Sequence, residues 1–140
     1  MFINRKKELA MLEQRYRSDQ AELFVLYGRR RVGKTELLHA FCGSKPHVFF
    51  IATLSSDSEQ LATFSQQIYS FNHTVVSNGF TFPTWEAAFR ALVDIPMQPR
   101  PIVVLDEFTY LISGNKAIPS ILQKVWDEML RNTNFLLTSS

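Results

Sequence analysis

The stretch GRRRVGKT at positions 28–35 constrains this chain more than any other feature of its sequence. It fits the pattern G-x-x-x-x-G-K-[ST] in full, with the apolar run ELFVLY before it and the amphipathic segment ELLHAF after it. Its two glycines permit backbone conformations that larger residues resist, so successive N–H groups can turn toward one anion at the positive end of a helix. The pattern therefore predicts a strand, a phosphate-binding loop and a helix in immediate succession.

Each position of this loop has an expected role. The loop is predicted to surround the phosphates of a nucleotide through Gly28, Arg29, Arg30, Arg31, Val32, Gly33, Lys34 and Thr35. Lys34 would act on the β- and γ-phosphates, and the Thr35 hydroxyl would bind Mg²⁺. The three arginines either neutralise phosphate charge or contact a nucleic acid, or they point outward into water, which the small size of the patch favours. The alternative for the whole loop is a glycine-rich turn with a solvated lysine.

The segment PIVVLDEF at 101–108 supplies a second set of candidate residues. Asp106 would end a central strand, at the edge where ligands of open α/β sheets bind, and we expect it to complete the Mg²⁺ site with Thr35 through water or from the outer shell of ligands. Glu107 adds a second carboxylate, which can orient and deprotonate a water molecule as a general base. The alternative is a solvated acidic pair at the end of a strand.

Four apolar runs predict buried strands at 22–28, 47–53, 101–108 and 134–140. Segments with helical periodicity separate them, at 5–17, after the glycine loop, at 58–71, from residue 85 and from about residue 119. This alternation predicts an α/β fold, a doubly wound parallel sheet with helices on both faces. The strand at 134–140 is expected between the glycine-loop strand and the Asp106 strand. There Thr138, Ser139 or Ser140 would sense the γ-phosphate. The alternative is that these residues have no specific role.

Composition and charge exclude several classes of protein. With 46% hydrophobic and 20% charged residues, the 140-residue chain is expected to form one globular domain rather than a disordered segment. Its formal net charge of +2 does not support nucleic-acid binding by this segment, and no apolar run reaches the length of a membrane span. Because Cys42 is the single cysteine, no internal disulfide forms, and we expect a cytoplasmic protein. His39, His47 and His73 lack metal-site spacing and are interpreted as structural or surface residues.

The order FINRKKEL, GRRRVGKT, DEFTYL, WDEML and FLLTSS resembles the archaeal-type ATPases, which are AAA+-related STAND P-loop NTPases. The resemblance covers essentially the whole chain. It implies the additional-strand, catalytic-glutamate type of P-loop fold, with ATP and Mg²⁺ as cofactors, and it implies that Phe2, Ile3 and Arg5 lie near the adenine. The chain departs from the family pattern at Asn4 and Ser139, where glycine is usual.

Members of this family continue with a fifth core strand, a helical lid and a C-terminal domain. We therefore expect residues 1–140 to be the N-terminal, C-terminally incomplete part of a P-loop ATPase domain. Without the fifth strand, the run ELFVLYG would form an exposed apolar edge, which favours self-association or a partner protein.

Three functions follow as hypotheses. The first is an Mg²⁺-dependent ATPase core that couples ATP binding and hydrolysis to a conformational switch, with Lys34 and Glu107 as catalytic residues. The second is a nucleotide-binding module with little or no turnover. The third, a P-loop kinase, is disfavoured by the Asp-Glu pair and by the intervening strand.

Overall fold

The structure is a computed structural model that describes residues 6–18, 22–25, 33–72, 80–95, 100–130 and 136–139. At residues 22–25, 34, 72 and 136–139 the description covers the main chain. Within these ranges, no helix combines the length and the apolar character that a bilayer crossing requires.

The described residues form a four-stranded sheet in which every neighbouring pair is parallel. Its strands are β1 (Glu22–Val25), β2 (His47–Ile51), β3 (Ile102–Asp106) and β4 (Leu136–Ser139), in the order β1-β4-β3-β2. The prediction that the last strand lies between the glycine-loop strand and the Asp106 strand is therefore confirmed. Because all four strands run the same way, their C-terminal ends meet at one edge of the sheet.

Six α-helices accompany the sheet in the described residues: α1 (Lys6–Arg17), α2 (Lys34–Cys42), α3 (Asp57–Asn72), α4 (Trp85–Arg90), α5 (Phe108–Gly114) and α6 (Ile118–Glu128). A 3₁₀ turn at Ala91–Asp94 follows α4. Side-chain hydroxyls cap the N-termini of two of these helices. The Ser56 hydroxyl accepts the N–H of Glu59 at 3.2 Å, and the Thr84 hydroxyl accepts the N–H of Ala87 at 3.0 Å.

Strand β3 is buried along its whole length and faces a different apolar cluster on each side. Val103 and Leu105 belong to a cluster with residues of α3 to α6, including the fully buried Phe64. Ile102 and Val104 belong to a second cluster with α1 and α2. Since successive residues of a strand point to opposite faces, helices cover β3 on both faces.

The buried Arg100 joins α1 to the start of β3, although nothing in the sequence singled it out. Its side chain is 4% exposed, and its Nη1 donates to the carbonyl oxygens of Arg15, at 2.9 Å, and Tyr16. In return, the Tyr16 hydroxyl donates to the carbonyl oxygen of Arg100 at 2.7 Å. A cation at the last carbonyls of a helix is favourable, so Arg100 fixes the C-terminal end of α1.

Helix α5 was not predicted, and the predicted strand at 101–108 is wrong at its C-terminal end. The strand ends at Asp106, and Phe108 is the first residue of α5. Glu107 lies between them with φ 58° and ψ 46°, in the left-handed region. The chain therefore passes from the strand to the helix through this one residue, without a longer loop.

Candidate functional site

The structure describes the predicted phosphate loop from Gly33 onward. Gly33 has φ 84° and ψ 11° and stands directly before α2, and its carbonyl oxygen accepts the N–H of Leu37 at 2.9 Å. Glycine adopts this left-handed conformation without the steric cost that a Cβ atom brings. The first N–H groups of α2 have no partner within the helix, so the helix begins as an anion-binding end.

The other predicted loop contacts are not described by the structure. Gly28, Arg29, Arg30, Arg31 and Val32 lie outside the described residues, and Lys34 is described through its main chain as the first residue of α2. Phosphate contacts of these residues therefore remain predictions, and so does the orientation of the three arginines.

The structure brings Thr35 and Asp106 together. The Thr35 hydroxyl, in the first turn of α2, donates to Asp106 Oδ2 at 2.7 Å, across 71 residues of sequence. Asp106 is 2% exposed, whereas Thr35 is exposed. Because the hydroxyl proton points at the carboxylate, the lone pairs of Thr35 Oγ1 stay available on its exposed side.

These oxygens fit a small, hard cation. Mg²⁺ is usually held by one or two protein oxygens, with water and substrate phosphates completing its coordination. Within the described part of the chain, no group of three or more His, Cys, Asp or Glu side chains could hold a metal ion. A hydroxyl and a carboxylate beside a helix N-terminus therefore suit a cation that arrives with a phosphate ligand, and they do not form an all-protein cage.

Glu107 stands next to this pair in a constrained backbone conformation. Its N–H donates to Asp106 Oδ1 at 3.0 Å, so the two oxygens of Asp106 accept from Thr35 and from Glu107. A left-handed conformation costs a non-glycine residue about 1–2 kcal/mol. Glu107 is the one non-glycine residue with positive φ in the described ranges. The surrounding structure therefore holds it in a backbone conformation that a glutamate does not favour.

The end of β4 lies beside this site, as predicted. Ser139 pairs with Val25 of β1 and with Leu105 of β3, so its main chain lies between the loop strand and the Asp106 strand. The side chains of Thr138 and Ser139 and the whole of Ser140 are outside the description. A role in sensing the γ-phosphate stays a prediction for all three residues.

Two of the histidines and the cysteine have structural roles. The His39 ring stacks on Phe49 with 3.9 Å between ring centroids, and His47 Nδ1 lies 2.7 Å from the carbonyl oxygen of Lys45. Cys42 is fully buried, and burial raises the pKa of its thiol to about 12. The interpretation of His39 and His47 as structural or surface residues is confirmed, while His73 lies outside the described residues.

Sequence reasoning missed Gln60, which lies near the same edge of the sheet. Its side chain is 3% exposed and hydrogen-bonds to the main chain of Thr53 and of Tyr110. Its position in the sequence gave no signal of this, since a glutamine in the first turn of an amphipathic helix is ordinarily a solvated residue.

The fold is an α/β domain with a parallel sheet, and it is similar to that of a solved Walker-type ATPase. A Walker-type ATPase of Pyrococcus abyssi superimposes with a TM-score of 0.60 over 97% of this chain and 45% of that chain. The two sequences are 23% identical, so this similarity concerns the fold. The chain belongs to the family of ATPase domains found predominantly in Archaea, whose match covers residues 2–139.

Two proteins of Methanocaldococcus jannaschii show the same relationship in sequence. An uncharacterized protein is 32% identical over 133 residues, which make up 95% of this chain and 28% of that protein. An uncharacterized ATP-binding protein is 53% identical over 45 residues, which make up 32% of this chain and 76% of that protein. The chain thus spans less than a third of the longer relative and less than half of the Pyrococcus structure.

Proposed function

We propose that this chain is the core of an Mg²⁺-dependent ATPase that couples ATP binding and hydrolysis to a conformational switch. The observation that carries the proposal is the 2.7 Å hydrogen bond from Thr35 to Asp106, which joins the phosphate-loop helix to the end of β3. Family membership supports ATP as the nucleotide.

The phosphate loop and Glu107 would have different roles in ATP hydrolysis. The N–H groups of residues 28–35 would bind the β- and γ-phosphates, and the Lys34 ammonium would neutralise charge that develops on them. The Glu107 carboxylate would accept a proton from the water whose oxygen attacks the γ-phosphorus. Hydrolysis would convert ATP into ADP and phosphate, so the ligand in the site would change in charge and size. This change of ligand is the basis of the proposed conformational switch.

Thr35 and Asp106 would hold the cation, Thr35 through its hydroxyl oxygen and Asp106 through water or from the outer shell of ligands. Bound there, Mg²⁺ would neutralise phosphate charge and orient the γ-phosphate. The donor set supports this assignment because hydroxyl and carboxylate oxygens are the ligands that Mg²⁺ prefers.

We also propose the finer classification as a doubly wound, catalytic-glutamate P-loop domain of the AAA+-related STAND branch. The position of β4 between β1 and β3 and the acidic pair Asp106-Glu107 support it. By the same resemblance, Phe2, Ile3 and Arg5 would lie near the adenine.

The test is Mg-ATP binding and phosphate release on the purified protein, beside Lys34→Ala and Glu107→Gln. We expect Lys34→Ala to lose binding. We expect Glu107→Gln to bind normally and to lose turnover by at least about a hundredfold, which is the scale of general-base catalysis. Lys116→Ala, at an exposed position after α5, is a matched control for the removal of a lysine and should leave both quantities unchanged.

Two outcomes would change the conclusion. Normal turnover in Glu107→Gln would refute the general-base assignment. Binding without turnover in the parent protein would favour the second hypothesis, a nucleotide-binding module that does not itself hydrolyse ATP.

A further inference from the structure

We propose that Gln60 is a positioning residue for Glu107. Its buried amide holds α5, which begins directly after Glu107, against the loop that follows β2. The proposal rests on the proposed role of Glu107 as general base. It extends that role to a residue whose side-chain amide hydrogen-bonds to the main chain of Thr53 and of Tyr110.

The Gln60 side chain is 3% exposed and has a partner at each end of its amide. Oε1 accepts the N–H of Thr53 at 3.0 Å, and Nε2 donates to the carbonyl oxygen of Tyr110 at 3.3 Å. Burying an amide is unfavourable unless its polar atoms are hydrogen-bonded. The side chain therefore fixes the separation of two main-chain segments that lie far apart in sequence.

Those two segments leave neighbouring strands at the same edge of the sheet. Ile51 of β2 pairs with Asp106 of β3, and the N–H of Ala52 donates to the carbonyl oxygen of Asp106 at 3.0 Å. Thr53 follows at once on one side, and Glu107 with the first turn of α5 follows on the other. Gln60 thus spans the two chain segments that emerge beside the candidate site.

The contact reaches Glu107 through a single turn of helix. The N–H of Tyr110 donates to the carbonyl oxygen of Glu107 at 3.0 Å, while the N–H of Glu107 donates to Asp106 Oδ1 at 3.0 Å. Glu107 is therefore anchored to β3 on one side and to α5 on the other. A shift of α5 would carry the Glu107 carboxylate with it, and a displacement of about 1 Å can cost on the order of a hundredfold in rate.

The first turn of α3 also holds the far end of α5. Asp57, one turn before Gln60, accepts from Trp85 Nε1 at 2.9 Å and from Asn115 Nδ2 at 3.5 Å. Asn115 directly follows α5, and a Cβ atom at Gly114 would lie 3.7 Å from the main chain of Asp57. Helix α5 is thus supported at both ends by one turn of α3, with Gln60 at the end nearer Glu107.

The experiment measures the Kd for Mg-ATP and kcat for Gln60→Met, which keeps the volume and removes both hydrogen bonds. Gln60→Asn, too short to reach both partners, is a second and more conservative variant. Gln67→Met is the matched control, because Gln67 lies on the same helix and its Oε1 has no hydrogen-bond partner within the described residues. Each variant is also made in the Glu107→Gln background, and amide exchange at Thr53 is followed in parallel.

We expect kcat to fall at least about tenfold in Gln60→Met and Gln60→Asn, with Kd within about twofold of the parent. Amide protection at Thr53 should fall in both variants, and Gln67→Met should match the parent. In the Glu107→Gln background, Gln60→Met should cause no further loss, because a residue that acts through Glu107 has nothing left to position.

Parental kcat in a folded Gln60→Met protein would overturn the proposal, as would an additive loss in the Glu107→Gln background. An equal loss in Gln67→Met, or a parallel rise in Kd, would show a general structural role and would overturn it too. If Glu107→Gln alone keeps parental turnover, or if the parent has none, the proposed catalytic function fails first and the role of Gln60 fails with it.

Discussion

The Thr35 hydroxyl provides the sharpest test of the cation site, because Thr35→Val removes the hydroxyl and keeps the shape of the side chain. Its hydrogen bond to Asp106 is short, at 2.7 Å, and its acceptor is a buried carboxylate. Hydrogen bonds to charged groups contribute about 1.5–3 kcal/mol. Since Thr35 is exposed and water can replace part of the contact, we expect the lower end of that range, about 1.5–2 kcal/mol.

This hydrogen bond joins two groups of the protein itself, so that free energy is lost from the free energy of unfolding. The loss of Thr35 Oγ1 as a cation ligand is a separate effect, and we expect it to weaken the Mg-ATP complex about tenfold or more, at about 1.4 kcal/mol for each factor of ten. Calorimetric titration of ATP in the presence of Mg²⁺ and in the presence of a chelator separates the cation from the nucleotide. Thr35→Val should lose affinity in Mg²⁺ and should match the parent in chelator, whereas Thr35→Ser should match the parent in both. Thr109→Val, at an exposed position on α5, is the control. Equal Mg-ATP affinity in Thr35→Val and the parent would refute the assignment of Thr35 as a cation ligand.

Two further predictions concern stability. Thr84→Ala should lower the free energy of unfolding by about 1 kcal/mol, because the hydroxyl caps α4 through the N–H of Ala87. Urea denaturation measures this change, with Thr81→Ala at an exposed position as the control. Equal stability of the two variants would count against the cap. Burial raises the pKa of the Cys42 thiol from 9.0 to about 12. As the pH rises, the unfolded chain therefore loses this proton before the folded protein does. The contribution of the buried thiol to the free energy of unfolding is complete below about pH 9 and declines up to about pH 12. By pH 10 the loss should be about 1.4 kcal/mol. Urea denaturation at pH 8 and pH 10 should show that loss in the parent and less of it in Cys42→Ala, and equal losses would refute it.

The sequence predicts the elements around Gly33 well because their signals are local. A left-handed residue before a helix favours glycine, and the apolar run before the loop has the composition of a buried strand. The position of β4 was also predictable, from the distance between the loop and Asp106 and from the strand and helices that fill it. For these elements, the local sequence pattern and the order of the strands in the sheet lead to the same prediction.

The start of α5 was not predictable for a physical reason. Apolar residues stand on both sides of Asp106 and Glu107, at the end of the strand and at the start of the helix, so the period-2 and period-3.6 patterns meet near Phe108 with only two residues between them. The switch between them occurs at Glu107, and glutamate gives no signal for a left-handed conformation, which it adopts rarely. Phe108, Leu111 and Ile112 do share the spacing of one helix face, but the apolar run before them hides it.

Gln60 and Glu107 show what tertiary structure adds to the sequence at this site. The backbone conformation of Glu107 costs about 1–2 kcal/mol, and a typical hydrogen bond returns only about 0.5–1.5 kcal/mol. Holding Glu107 therefore requires more than one contact. These contacts include its N–H bond to Asp106, the N–H bond of Tyr110 to its carbonyl oxygen and, through Tyr110, the amide of Gln60. Since these terms nearly cancel, the position of the Glu107 carboxylate depends on these polar contacts as well as on the packing of Phe108 and Leu111 against the apolar core.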